Sequence, residues 1–150
     1  MKLAEALQYR SDLQNRIEEL RKRLTVNANY QEGEKPLEDV AALRRDLDGS
    51  IEQLEDLIFR INDTNNNTMT SRGSLTKVLA TRETLKIKRS VLASLAEAAS
   101  DITPRYGRYE IKVFTSVDVK SLRKEMDELA KELREIELLV QQMNWLTELV

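Results

Sequence analysis

Apolar side chains in the last third of the chain recur at alternating spacings of three and four residues. The series consists of Val119, Leu122, Met126, Leu129, Leu133, Ile136, Val140 and Met143. This spacing places the side chains along one line of a helix, and such a line must contact another helix to leave water. The pattern therefore predicts a long C-terminal helix with a coiled-coil-like seam.

Three earlier segments repeat the same rhythm and predict three more helices. They cover about residues 2–24, 36–61 and 75–100. Turn-forming residues separate them, with Gly33 and Pro36 after the first helix and an asparagine-rich run at 62–67 after the second. We predict an all-α fold of four long helices in an antiparallel coiled-coil-like bundle, with one domain spanning residues 1–150.

Two short segments switch from the helical rhythm to an alternation of apolar and polar residues. The alternating apolar positions are Val26, Ala28 and Tyr30 in the first segment, and Tyr109, Ile111 and Val113 in the second. Alternation of this kind indicates β-strands. We therefore predict a small two-stranded antiparallel ribbon that pairs residues 25–31 with residues 109–115 and joins the first and fourth helices at one end.

The chain contains neither cysteine nor histidine, which excludes many kinds of chemistry. Without cysteine there are no disulfides, no thiolate nucleophiles and no cysteine-ligated zinc or iron–sulfur sites. Without histidine the chain lacks the usual general base and the commonest ligand for transition metals. The sequence also has no glycine-rich phosphate loop and no nucleophile elbow. We therefore predict that the protein is not an enzyme and binds no metal or cofactor.

Charged residues are spaced through every predicted helix, and this bears on location. The longest uncharged helical stretch is far shorter than the roughly 20 apolar residues that a transmembrane helix needs. The N-terminal residues predict a charged amphipathic helix and not a signal peptide. We expect a cytoplasmic protein with a formal net charge of −2 and no membrane span.

The unequal lengths of the predicted helices favour self-association. At 1.5 Å per residue the fourth helix is roughly 50 Å long and the first roughly 35 Å, so the last apolar residues would extend beyond a compact monomer. An exposed apolar helix end usually binds a partner, most simply a second copy. The predicted interface of this homo-oligomer consists of Leu129, Leu133, Ile136, Val140, Met143, Trp145 and Leu149.

Arg10, Arg82 and Arg89 occupy positions that the heptad pattern reserves for apolar residues. In a structural interpretation their aliphatic stems pack along the seam, and their guanidinium groups pair with acids on a neighbouring helix. In a functional interpretation they form a site for an anion or small ligand, with Asn62 or Asn65 nearby. The sequence leaves both interpretations open.

Basic and aromatic side chains are interleaved between residues 105 and 112. The segment contains Arg105, Tyr106, Arg108 and Lys112. In a basic protein this composition would suggest single-stranded nucleic acid, with bases stacked on the tyrosines. Because the net charge is negative and no face is clearly polybasic, we favour a strand with solvated charges and expect no nucleic acid partner.

Several sequence blocks resemble a known family. They are NANYQEGEKP at 27–36, RINDTN at 60–65, LT at 75–76 with LATRE at 79–83, RYGRYEIK at 105–112 and NWLTEL at 144–149. Over nearly its whole length the chain resembles the septicolysin-like family of short bacterial helical proteins. The family name implies a cytolysin, and the resemblance supplies no catalytic residues.

These observations lead to three functional hypotheses. The leading one is a non-enzymatic structural or protein-interaction module that self-associates through its long C-terminal helix. The second is a small anion- or ligand-binding module that uses the arginines of the helix seams. The third is a membrane-active cytolysin, although a pore former must expose a long apolar helix or an alternating hairpin to lipid.

Overall fold

The computed structural model describes residues 1–101 and 111–150. Within these residues the helices are α1 (Leu3–Val26), α2 (Val40–Asn67), α3 (Leu75–Ser100) and α4 (Val119–Leu146). Two short strands, β1 (Met69–Thr70) and β2 (Gly73–Ser74), form a two-stranded sheet between α2 and α3. The predicted fold class, all-α with four long helices and a small antiparallel ribbon, is confirmed.

The chain divides into two compact units. The first consists of Met1–Thr70 together with Met143–Val150, and the second of Ser71–Gln142. The first unit therefore contains α1 and α2, and the second contains α3 and most of α4. Each unit is built on a pair of helices, and the assignment of residues 1–150 to one domain stays a prediction.

Helices α1 and α2 form an antiparallel hairpin whose register is set by polar pairs. The pairs are Tyr9 with Gln53, Arg16 with Asp46 and Arg23 with Glu38, and they recur every seven residues along α1. The partner number falls as the α1 number rises, as an antiparallel arrangement requires. Between the pairs, the buried seam of the hairpin includes Leu13, Leu20, Leu43 and Leu57.

The tip of this hairpin contains no strand, so the ribbon predicted at residues 25–31 is wrongly placed. Thr25 and Val26 continue α1. Asn27 is buried, and its side chain bonds to both helices: Nδ2 donates to the Arg23 carbonyl at 2.9 Å and Oδ1 accepts from the Glu38 N–H at 3.0 Å. These hydrogen bonds fix the chain as a helix cap and leave no extended segment to pair. The hydrogen bonds from Arg23 also hold the pKa of the Glu38 carboxyl below its usual value.

The other half of the predicted ribbon is also absent within the described residues. Residues 111–115 form no strand, and residues 109 and 110 lie outside the described residues. The observed strands instead flank a two-residue turn at residues 71–72, and Gly73, the first residue of β2, adopts a φ of +102°. Glycine reaches this left-handed conformation without steric cost, so this short segment closes locally.

Side-chain oxygens cap the starts of three helices. Asp39 accepts from a backbone N–H at the start of α2, and Ser74 does the same for α3. Before α4, Asp118 accepts from the backbone N–H of Ser121 at 3.2 Å and from its hydroxyl at 3.0 Å. These hydrogen bonds lower the pKa of Asp118 because they stabilise its charged form. The caps satisfy N–H groups that have no partner inside the helix.

Helices α3 and α4 are paired antiparallel in the second unit. Lys88 Nζ lies 3.1 Å from Glu125, and six residues earlier on α3 the guanidinium of Arg82 lies 3.7 Å from Glu137. The apolar seam of α4 is largely buried, and its buried members are Leu122, Leu129, Leu133, Ile136 and Val140. The sequence pattern thus identifies the buried face of α4 correctly.

The residues that follow α4 are hydrogen-bonded to the other parts of the first unit. Leu3 N–H donates to the Thr147 carbonyl at 2.9 Å, and Leu149 N–H donates to the Met1 carbonyl at 2.8 Å. The N–H of Val150 donates to the buried hydroxyl of Thr64 at 3.1 Å. Backbone bonding of this kind fixes the segment to the start of α1 and the end of α2.

Burial predicts which positions on α4 matter for stability. Ile136 is 0% exposed and Leu138 is 68% exposed on the same helix. We expect Ile136→Ala to lower the free energy of unfolding by about 2–5 kcal/mol, because it leaves a cavity in the seam. The matched variant Leu138→Ala should change it by less than about 0.5 kcal/mol. Urea unfolding followed by circular dichroism measures both, and equal losses in the two variants would contradict this assignment of the buried face.

Candidate functional site

A groove between α3 and α4 is a candidate functional site in the second unit. It has a volume of about 560 Å³. Its lining consists of Lys86 and Arg89 from α3, and Ala130, Leu133, Arg134, Glu137, Leu138 and Gln141 from α4. We call it the basic groove, because three of these side chains are cationic and one is anionic.

The basic groove has an apolar floor and charged walls. Leu133 is buried and belongs to the α4 seam, whereas Leu138 is largely exposed at the groove mouth. Lys86, Arg89 and Arg134 surround these apolar groups. A surface of this kind suits a ligand that combines an anionic group with an apolar body.

The cationic side chains of the groove differ in whether an acidic side chain lies close to them. Lys86 Nζ lies 3.7 Å from Glu137 and 3.8 Å from Glu83. Within the described parts of the chain, neither Arg89 nor Arg134 forms an ion pair or hydrogen bond. The two guanidinium groups therefore supply the charge that is available to a ligand.

The residues of the predicted anion site are divided between the two units. Arg10, Asn62 and Asn65 lie in the first unit, on α1 and near the end of α2, and Arg82 and Arg89 lie on α3 in the second unit. Arg82 is partly buried and lies near Glu83, at 3.5 Å, and Glu137, at 3.7 Å. Its Nε is buried and has no hydrogen-bond partner within the described structure. Arg82 therefore packs in the helix pair, and Arg89 is the predicted residue that lines the groove.

Sequence reasoning missed Lys86 and Arg134 as partners of Arg89. Neither residue interrupts an apolar stripe, and their proximity depends on how α3 and α4 are aligned. They could have been found by aligning the two helices antiparallel and comparing the charged residues that flank the apolar seam of each helix.

Only one end of the basic and aromatic segment lies within the described residues. Arg105, Tyr106 and Arg108 lie outside the described residues. Lys112 is exposed in an irregular segment. The hypothesis that this segment contacts nucleic acid therefore stays untested.

Most residues predicted at an oligomer interface are already buried within the chain. The buried ones are Leu129, Leu133, Ile136, Val140 and Leu149. Met143 is half-buried, and Trp145 is 66% exposed. Of this set, Trp145 is the large side chain that remains accessible to a partner.

A second groove lies between α1 and α2, and its polarity distinguishes it from the basic groove. It has a volume of about 620 Å³, and its lining includes Tyr9, Arg16, Asp46, Gly49 and Ser50. Acidic and basic side chains are mixed along it, and Arg16 and Asp46 pair across it at 3.5 Å. The α2 side of this groove carries the small residues Gly49 and Ser50. A Cβ atom added at Gly49 would meet nothing within 4 Å, so there is open space at this position.

The described residues contain neither a candidate metal-binding cluster nor a helix that could span a membrane. Among them, no group of three or more acidic side chains is arranged to hold a metal ion. No helix in residues 1–101 or 111–150 combines the length and the apolar character needed to cross a bilayer.

Comparisons with known proteins show the family and the fold. A family model described as a family of unknown function, DUF6847, matches residues 10–149. The chain is also similar to the crystal structure of a functionally unknown conserved protein from Corynebacterium diphtheriae, with 36% sequence identity and a TM-score of 0.91. That similarity covers 100% of this chain and 99% of the other. No curated protein matches, and none of these findings supports the septicolysin-like label specifically.

The open space at Gly49 leads to a stability prediction. Gly49 lies inside α2, where glycine is less favourable than alanine by about 0.5–1 kcal/mol. We expect Gly49→Ala to raise the free energy of unfolding by about that amount, as measured by urea unfolding. As a control, Gly73→Ala should destabilise, because Gly73 has a φ of +102°. A loss of stability in Gly49→Ala would mean that the groove is narrower than described.

Proposed function

The chain belongs to a family of unknown function, and we propose from its surface that it is a non-enzymatic structural or protein-interaction module that self-associates. The observation that carries the proposal is the set of large apolar side chains that stay exposed on the described helices. The proposal places the protein in the cytoplasm, without a nucleic acid partner. The lack of histidine and cysteine supports the non-enzymatic part of it.

The exposed surface includes many large apolar side chains on the helices. They are Ile51, Ile58 and Phe59 on α2, Ile87, Val91 and Leu95 on α3, and Leu138, Trp145 and Leu146 on α4. Single exposed apolar residues are common, but sets on the same helix mark interaction surfaces. These sets favour an interaction module over an isolated monomer.

The burial of the α4 seam changes where self-association is expected. Leu129, Leu133 and Ile136 are covered by the chain itself, so a partner cannot contact them without opening the α3–α4 pair. Trp145 stays a candidate contact on α4. The other candidate contacts are the exposed apolar residues of α2 and α3.

Mass measurement tests self-association. We expect multi-angle light scattering to rise from the 17.3 kDa of one chain towards twice that value as the concentration increases from about 1 to 200 μM, since a modest interface gives a micromolar dissociation constant. The mass should be insensitive to nuclease treatment. A constant mass of one chain up to 200 μM would refute the proposal.

The binding of an amphipathic anion in the basic groove is a second candidate function. It is favoured by Arg89 and Arg134, which have no acidic partner among the described residues and lie beside the apolar Leu133 and Leu138. This candidate keeps Arg89 from the sequence-based site and replaces the remaining residues. The cytolysin hypothesis rests on resemblance alone and has the least support.

Thermal melting with octanoate tests the second candidate. A ligand that binds the folded state alone must raise the melting temperature, and millimolar octanoate should raise it by about 2–4 °C. Neutral octanol is the matched ligand without charge. The double variant Arg89→Gln, Arg134→Gln should lose the shift, whereas Arg123→Gln, outside the groove, should keep it. Equal shifts in both variants would exclude the basic groove as the site.

A further inference from the structure

Helix α3 carries a second heptad series on the side opposite its buried seam. The series consists of Ala80, Thr84, Ile87, Val91, Ser94 and Ala98, at spacings of four and three residues. Its members lie about half a turn from the buried Leu75 and Val78. We call this series the outer seam. Every member is exposed, and Ile87 and Val91 at its centre are 64% and 61% exposed.

The composition of the outer seam fits a helix as the partner. No member is charged, and the two branched apolar residues stand between pairs of small ones. Small residues let two helices approach closely, and branched residues at the centre act as knobs in the holes of the facing helix. At its C-terminal end Ala98 also lines a small cavity of about 230 Å³ with residues that include Val113 and Phe114. We therefore take the stretch from Ala80 to Ser94, whose seam members are all exposed, as the part that a partner helix contacts.

Charges beside the outer seam indicate which helix fits. Glu83 precedes Thr84 on one flank, and Lys88 follows Ile87 on the other, five residues further along. In a parallel pair of identical helices, residues separated by five face each other across the seam. Glu83 of each copy would then lie beside Lys88 of the other. Each Lys88, whose Nζ lies 3.1 Å from Glu125 of its own chain, would be shared between that residue and Glu83 of the other copy.

The antiparallel alternative brings like charges together. Aligning Ile87 with Val91 of an antiparallel copy also pairs small residues with small residues, so packing alone does not decide the orientation. In that register Glu83 faces Glu97 of the copy, and Lys88 faces Lys88. Like charges at such positions are destabilising. Charge complementarity therefore favours the parallel pair.

We propose that the outer seam of α3 binds the same seam of a second copy as a parallel two-helix pair, centred on Ile87 and Val91. This inference rests on the proposed self-association and names its surface, partner and orientation. The seam covers about four helical turns, so the contact is small and the dimer dissociates in the micromolar range. The pair leaves the α4 seam inside each chain.

Cysteine cross-linking tests the contact and its orientation, because the chain has no cysteine of its own. In the parallel pair Ser94 faces Ser94, so Ser94→Cys should form a disulfide-linked dimer under mild oxidation. Ala93→Cys is the matched control, since Ala93 is exposed but points about 100° away from the seam. We expect cross-linking at least about tenfold faster for Ser94→Cys, because disulfides need Cα atoms within about 7 Å. Equal rates, or cross-links only in a mixture of Thr84→Cys with Ser94→Cys, would overturn the parallel pair.

Mass measurements on surface variants separate this inference from the proposed function. Val91→Glu should abolish the dimer without loss of helix by circular dichroism, because Val91 is exposed in the single chain. Glu83→Lys should weaken the dimer about tenfold, because it places a second cation beside Lys88 of the other copy. A monomeric wild-type chain would refute both proposals. A wild-type dimer that persists unchanged in Val91→Glu would refute the outer seam alone.

Discussion

A pair of helices can bury only one stripe of each helix, and this constraint governs the rest of the structure. In each unit the two helices meet along seams of apolar residues, and their other faces stay in contact with water. Many large apolar side chains of the described helices therefore stay exposed. The same constraint explains why the α4 seam is unavailable to a partner while the opposite face of α3 is open.

Polar contacts fix the register that the seams alone leave open. Heptad positions repeat every seven residues, so a helix pair could slide by one heptad without exposing its seam. Between α1 and α2, the pairs Tyr9–Gln53, Arg16–Asp46 and Arg23–Glu38 all form together in one alignment. At the tip, Asn27 bonds to the ends of both helices. Between α3 and α4, Lys88 and Glu125 serve the same purpose.

Periodicity predicted the helices because it extends over many turns, whereas the ribbon depended on short local patterns. The alternation around Val26 could not reveal that Asn27 would cap α1 and use the hydrogen bonds that a strand needs. The loop through Arg72 and Gly73 was predicted, but the strands on either side of its turn were not, because each is only two residues long. Short segments depend on tertiary partners more than on their own pattern.

The candidate sites were also predicted only in part, because a site depends on how separate helices are aligned. Arg82 and Arg89 were found because they interrupt an apolar stripe, but Arg134 was missed because its position relative to Arg89 depends on the α3–α4 alignment. The outer seam of α3 was missed because small residues dominate it, so its apolar signal is weaker than that of the buried stripe. A helix can carry two heptad series, and the weaker one is informative once the stronger one is seen to be buried.

The central claim is that the α4 seam is buried within one chain and does not need a partner. Amide hydrogen exchange over the segment from Leu129 to Val140 tests it directly, at concentrations where single chains predominate. The account predicts the same slow exchange at 0.5 μM as at 100 μM. Fast exchange at 0.5 μM that becomes slow only as the concentration rises would show that the seam is buried between chains, and would contradict the account.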